Sequence, residues 1–323
     1  MTSREYPDQR ARVVAIVGAT ATGKTSLGVE IARRFNGEVV NADSRLFYRG
    51  MDIGTAKPTA SERRGVKHHL IDILEPHEGY SLSDFLRAAN RVTADIHECG
   101  KVPVLVGGSG QYVWGLLEGW EVPEIPPNPA LRQELERELE EGGIERLQSR
   151  LRKTGAANVD KVEILNPRRL VRAIERAIAT GDAMGGASKM AIPPYEALVI
   201  GLMAPRDVLH ARVADRVDRM LTAGWLKEVQ KLLDVGIEPA MPSMSAIGYR
   251  LLADFLGGNR SWEATRDEII IGNNRLIGAQ HNWFKPRDSR ISWIDITDPN
   301  YLDAVSEMVG EWLRRPADAS VTG

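Results

Sequence analysis

The sequence predicts an α/β fold: a P-loop-containing core on a mainly parallel sheet, with a helical insertion domain. Three observations predict it. The apolar, β-branched run VVAIV (13–17) leads into GATATGKT (18–25) and then into a stretch of helical spacing. Further strand-length runs, EVVNAD (38–43), KVPVLVGG (101–108) and EALVIGLM (196–203), alternate with helical segments as βαβ units do. Between 131 and about 180 the alternation stops, and only a helical pattern remains.

GATATGKT fits G-x-x-x-x-G-K-[ST], a loop whose backbone N–H groups surround a phosphate chain. Leu27, Ile31 and Phe35 then recur every four residues, giving the following helix one apolar face. EVVNAD reads as a second strand ending in a carboxylate. In SLSDFLRAANRVTADIHECG (81–100), Ser81 or Ser83 serves as N-cap and Gly100 ends the helix. KVPVLVGG is a third strand closing on a glycine pair. EVPEIPPNPA (121–130) has four prolines, which interrupt any regular element. GDAMGGASKMAIPP (181–194) reads as a loop, EALVIGLM as a returning strand, and residues 208–233 as one or two amphipathic helices. The boundaries follow. Residues 1–118 form the first part of the core and 119–191 the helical insertion. Residues 192–290 complete the core with C-terminal helices, and 291–323 hold a last strand and helix and a frayed tail, ADASVTG.

Composition narrows the class. Apolar content of 43% and charged content of 27% over 323 residues describe a soluble globular chain. No apolar run reaches bilayer length, so no membrane association is expected. MTSREYPDQR at the N-terminus lacks the apolar segment of a secretory signal. The single cysteine, Cys99, excludes an intrachain disulfide and fits a reducing compartment, so the expected location is the cytoplasm. Cys99 is read as a packing residue at a helix end rather than a nucleophile. A net charge of −2 provides no global field for a polyanion. Basic residues do cluster locally, at Lys161, Arg168, Arg169, Arg172 and Arg176, and again at Arg275, Lys285, Arg287 and Arg290. Such patches fit either a polyanion held by part of the surface or solvated helix faces.

Within the loop, Gly18 and Gly23 permit the backbone turns, Lys24 brings a point charge to the phosphates, and Thr25 offers a hydroxyl to Mg²⁺. Asp43, at a strand end beside that loop, could be a metal-binding Walker-B aspartate, a general base or an N-cap. GGSGQY (107–112) brings the Ser109 hydroxyl to the same crevice, or closes a strand tightly onto a helix. Thr55, Lys57 and the DIGT turn have no evident generic role.

GATATGKT, DSRLFYRGMDIGTAKP (43–58), GGSGQY, NPRRLVRAIE (166–175) and AIGYR (246–250) occur in this order. Together they resemble the tRNA dimethylallyltransferases, also called tRNA isopentenylpyrophosphate transferases, of bacterial type, from about residue 12 to 285. The resemblance implies that Gly18, Ala19, Thr20, Ala21, Thr22, Gly23, Lys24 and Thr25 hold the diphosphate of dimethylallyl diphosphate. It also implies Mg²⁺ at Thr25 and no need for ATP. The dimethylallyl group would pass to N6 of the adenosine 3′ to the anticodon, position 37, in tRNAs reading UNN codons, with pyrophosphate released. Such a base must be extruded from its loop to react. In this reading Asp43 matches the family's general base and Arg216, in HARVADR (210–216), a cation on the leaving pyrophosphate. Ser109 stands where the family usually has threonine, and Arg132 aligns with a functional arginine of the insertion.

The tRNA-contacting positions implied are Asp43, Ser44, Arg45 and Leu46, then Arg168, Arg169, Leu170, Val171 and Arg172. Ser245, Ala246, Ile247, Gly248, Tyr249 and Arg250 form a third group, with Gln280, Trp283 and Lys285 beyond them. One departure concerns IGAQHNWFK (277–285), where two basic positions of the family have become Gly278 and Ala279. Each lost phosphate contact should weaken binding and flatten its salt dependence. The partners expected are therefore the tRNA anticodon stem-loop and dimethylallyl diphosphate, acting on a monomer. An adenylate isopentenyltransferase would share the loop and the aspartate, but RRLVRA (168–173) argues for a macromolecular acceptor. An ATP-dependent small-molecule kinase would want an aspartate at the end of VPVLVGGS, which has none. A non-catalytic RNA-binding protein would give Lys24, Thr25 and Asp43 no shared purpose.

Overall fold

The structure, a computed structural model, describes residues 10–125, 128–185, 188–190 and 192–316. The tail ADASVTG and residues 1–9 of the N-terminus lie outside the described residues. In chain order, β1 (Ala11–Gly18), α1 (Lys24–Arg34) and β2 (Gly37–Asn41) are followed by α2 (Ala60–Arg63) and β3 (His68–His69). Next come α3 (Leu82–Glu98), β4 (Val102–Val106) and α4 (Gly110–Leu117). After them stand β5 (Trp120–Glu121), α5 (Pro129–Lys153), α6 (Pro167–Thr180) and β6 (Ser188–Lys189). The remainder is β7 (Tyr195–Met203), α7 (Arg206–Thr222), α8 (Trp225–Asp234), α9 (Tyr249–Leu256), α10 (Trp262–Trp283), β8 (Ile291–Asp295) and α11 (Tyr301–Arg314). Two compact units result: residues up to Glu118 joined by those from Pro193 onward, and Gly119–Ile192.

The first unit is built on one six-stranded sheet in the order β3-β2-β4-β1-β7-β8, and every neighbouring pair is parallel. Parallel strands are covered on both faces, which explains why VVAIV is apolar throughout rather than alternating. Val14, Ile16, Leu27, Ile31, Val104 and Val305 are among the buried side chains that join the sheet to α1 and α11. Because the strands are parallel, their carboxyl ends share one edge. That edge carries GATATGKT after β1, Asp43 after β2 and Gly107–Ser109 after β4.

Helix ends follow local chemistry. Ser81, not Ser83, caps α3, in a reciprocal capping box with Asp84, and Gly100 beyond its end takes φ 66°. Cys99 sits at that helix end but is exposed, which corrects its reading as a packing residue. Residues 208–233 form two helices, α7 and α8, parted at Gly224 with φ 103°.

In the second unit, α5 is kinked at Gly143, where φ is 64°. Leu135, Leu147, Leu151, Leu170 and Ile174 are fully buried between α5 and α6, each contributing about 1.5–3 kcal/mol. β5 and β6 pair antiparallel within segments the sequence reads as proline-broken and loop.

Candidate active site

Gly18 closes β1 with φ 138°, and a Cβ there would fall 2.5 Å from the Leu202 carbonyl oxygen of β7. Only glycine fits. Gly23, at φ 85°, caps α1, and Ala21 takes φ 64° although it carries a side chain. The loop holds itself with short bonds: the Thr22 hydroxyl donates to the Ala19 carbonyl oxygen (2.8 Å) and Lys24 Nζ to the same atom (2.6 Å). Burial in the crevice brings the Lys24 ammonium down to about 8; Asp43 opposes that shift and Arg216 adds to it. The first N–H groups of α1 face the same space, with the positive end of the helix dipole behind them.

Lys24, Thr25, Asp43, Arg216, His68 and Gln280 line one recess of about 100 Å³, with Leu46, Ile71 and Val106 on its apolar wall. It adjoins a wider crevice of about 750 Å³, which Lys24, Thr25 and Arg216 also line. Asp43 Oδ1 accepts the Arg45 N–H (3.0 Å), while the Asp43 N–H donates to Asn41 Oδ1 (2.9 Å). The aspartate therefore caps its own turn with one oxygen and still lines the recess. Ser109 Oγ accepts the Ser44 N–H (3.3 Å), which ties the turn after β4 to the turn carrying Asp43. Burial lowers the Arg216 guanidinium from its ordinary value, and Asp43 opposes the shift.

Several side chains escaped sequence reasoning. Arg212 and Arg219, one turn to either side of Arg216 on α7, line the crevice; spacings of four and three on one helix were the available signal. Burial lowers the His68 imidazole. Its Nδ1 pairs with the Val66 carbonyl oxygen (2.9 Å), and its buried Nε2 has no partner among the described residues. Glu175 appeared only as the last letter of NPRRLVRAIE, and Glu228 gave no signal.

The positions read as tRNA contacts divide. Arg168, Arg169, Trp283 and Lys285 are exposed, and Arg169 pairs with Glu163. Ser44, Arg45, Val171, Arg172, Ser245, Ile247 and Arg250 are half-buried; Arg45 Nη1 donates to Ser245 Oγ (3.1 Å). Six are buried and need correction as surface contacts. Leu170 belongs to the core of the second unit, and Ala246 and Tyr249 are buried at the start of α9. Gln280 is buried too: its Oε1 accepts the Thr20 N–H (2.8 Å) and its Nε2 donates to the Gly108 carbonyl (3.3 Å). It staples the phosphate loop to the turn after β4. Leu46 is likewise buried, though it lines the recess, and Gly248 packs against Trp225 with φ 95°. Arg250 spends its guanidinium on the carbonyls of Pro239 and Ala240 (2.7 and 3.2 Å).

In the second unit, Arg132 forks onto the buried Glu175 carboxylate (2.7 and 3.0 Å), which also accepts from Arg172 (3.0 Å). Burial alone would raise the Glu175 carboxyl, but hydrogen bonds from Arg132 and Arg172 outweigh it and hold it low. Among the described residues no cluster of three or more His, Cys, Asp or Glu side chains could cage a metal ion. No described helix is long and apolar enough to cross a membrane.

A protein-family model described as IPP transferase matches residues 46–287. A tRNA dimethylallyltransferase of Thermomicrobium roseum is 43% identical over 311 residues, 96% of this chain and 94% of that protein. Among solved structures, the full-length tRNA isopentenylpyrophosphate transferase of Bacillus halodurans superposes with a TM-score of 0.71 at 37% identity. The match covers 94% of this chain and 97% of that one. A eukaryotic dimethylallyltransferase acting on tRNA shares the fold, with a TM-score of 0.78 at 23% identity, over 95% of this chain and 81% of the other.

Proposed function

Because this chain belongs to the IPP transferase family, we propose that its recess joins the prenyl carbon of dimethylallyl diphosphate to an adenosine of tRNA. The chain is an enzyme, a tRNA-modifying prenyltransferase. The observation that carries the mechanism is the meeting of Lys24, Thr25, Asp43 and Arg216 in one recess at the carboxyl edge of the sheet.

The acceptor is N6 of the adenosine next to the anticodon, position 37, in tRNAs reading UNN codons. Its lone pair is delocalised into the ring, so the amine is a poor nucleophile. The N6–C1 bond forms as the C1–O bond to the diphosphate breaks, and the amine proton passes to the Asp43 carboxylate. Negative charge gathers on the leaving pyrophosphate, where the loop N–H groups, Lys24 and Arg216 oppose it. Ser109 steadies the turn that aims Asp43. Mg²⁺ fits this donor set: it needs one or two protein ligands and substrate phosphates, not a protein cage. The Thr25 hydroxyl would hold it, and it would neutralise charge on the diphosphate. Arg168, Arg172, Trp283 and Lys285 meet the tRNA backbone and loop, and the protein acts as a monomer.

The test mixes the protein with Mg²⁺, labelled dimethylallyl diphosphate and either unmodified tRNA or AMP. Label is expected in tRNA alone, and in none once Asp43→Ala is introduced, with tRNA affinity kept within a few-fold. Transfer to AMP would assign a free-nucleotide acceptor, and a normal rate in the variant would remove Asp43 as the base.

A further inference from the structure

The DIGT turn, which has no generic role in sequence, forms a wall of the site. Asp52 and Ile53 line the wider crevice, and Thr55 and Ala56 line the recess beside Lys24 and Asp43. Behind that wall, the Glu228 carboxylate of α8 accepts three consecutive backbone N–H groups: Asp52 (2.8 Å), Ile53 (2.7 Å) and Gly54 (3.2 Å). The Tyr249 hydroxyl donates to the same carboxylate (2.6 Å). Asp52 and Ile53 also line the groove that contains Glu228, so one short segment has the crevice on one side and its anchor on the other.

Two further features press the turn into place. A Cβ on Gly54 would fall 1.9 Å from Trp225 Nε1, and one on Gly248 would fall 2.2 Å from Trp225 Cη2. The indole therefore sits between two glycines, one from DIGTAKP and one from AIGYR. At the other end of the turn, buried Lys57 donates to the Tyr48 carbonyl (2.7 Å) and to Asp52 (2.6 Å), and pairs with Asp72. Between these anchors Ala56 is held at φ 50°, a left-handed conformation that a residue with a Cβ keeps only under such constraint.

We propose that Glu228 and Tyr249 are positioning residues for the prenyl-diphosphate site, acting through the 52–56 backbone. The proposal rests on the reading that dimethylallyl diphosphate occupies the crevice. Glu228 fixes the wall that faces the phosphate loop, and Tyr249 holds Glu228 in register. DIGTAKP and AIGYR thus form one device, with Tyr249 on its buried side.

Tyr249→Phe removes one donor and leaves the fold its aromatic ring; Glu228→Gln puts an amide where three N–H groups need acceptors. Steady-state kinetics with tRNA and dimethylallyl diphosphate, pyrophosphate binding by calorimetry and thermal midpoints would be measured for both. The expected result is a KM for dimethylallyl diphosphate raised roughly three- to tenfold in Tyr249→Phe and further in Glu228→Gln. Pyrophosphate affinity falls in parallel, and the KM for tRNA stays within about twofold. A loss of active protein would lower kcat alone. An unchanged KM and pyrophosphate affinity in both variants would overturn the proposal, as would a rise confined to the KM for tRNA. If the parent protein binds pyrophosphate but does not turn over dimethylallyl diphosphate, the functional reading fails, and pyrophosphate affinity in the variants still decides the clamp.

Discussion

At Lys24 the ammonium loses solvation to the walls of the crevice, and its value falls to about 8. A bound diphosphate would favour the charged form again, so the free protein must take up a proton there whenever the pH is above about 8. The sign follows: pyrophosphate affinity is independent of this group below that value and declines above it, approaching about tenfold per pH unit. Calorimetry in buffers of different ionisation heat should detect the proton uptake at pH 9, and Lys24→Met should abolish it. Lys24 and the glycines beside it were legible in the sequence because a phosphate loop is a local pattern. Gln280 was legible only as a motif letter. Its work, bonding Thr20 and Gly108, depends on contacts across most of the chain.

The C-terminal end of α10 exposes Gly278 and Ala279, the two positions where the family resemblance implies basic side chains. A Cβ at Gly278 meets nothing within 4 Å, so a longer residue needs no rearrangement. Gly278→Lys should strengthen tRNA binding and steepen the salt dependence by about 0.7–0.9 in slope if the new ammonium reaches one phosphate. It should also firm the helix by about 0.5–1 kcal/mol, because glycine is the poorer helix former. Filter binding across a salt series checks the first effect and chemical denaturation the second; an unchanged slope would place the nucleic acid elsewhere. Elements themselves were legible where periodicity ran long enough, as in β1, α1 and α3. Two-residue strands such as β3 and β5 are too short to show a period, and a helical pattern does not say which positions a neighbour covers. That is why Leu170 and Tyr249, beside arginines in their motifs, read as contacts and proved buried.

For the molecule as a whole, acid is the condition that tests the sheet. Glu38 on β2 accepts hydrogen bonds from His69 on β3 and from Lys101 just before β4, both at 2.6 Å. Burial alone would raise this carboxyl, but Lys101 and His69 outweigh it and bring it down from 4.5 to about 2. The folded value lies below the unfolded one, so the group stabilises the fold above about 4.5, and that contribution disappears as the pH falls to about 2. The difference amounts to about 3 kcal/mol. Glu38→Gln should lose most of it at pH 7 and little at pH 2.5, as read from denaturation midpoints at both.

The place of β7 in the sheet also sets an order of events during synthesis. It lies between β1 and β8, yet all of Gly119–Ile192 must be translated before its first residue appears. At about 5–20 residues per second, the nascent edge of β1 waits about 9–35 s for its partner, because residues 19–194 come between them. During that interval a row of unpaired backbone groups on an apolar strand is open to any neighbouring strand. Gly18, where β1 enters the phosphate loop, pairs in register with Leu202, a contact that forms only after β7 is made. The surroundings of the phosphate loop are therefore completed only once β7 has been made, long after the loop itself.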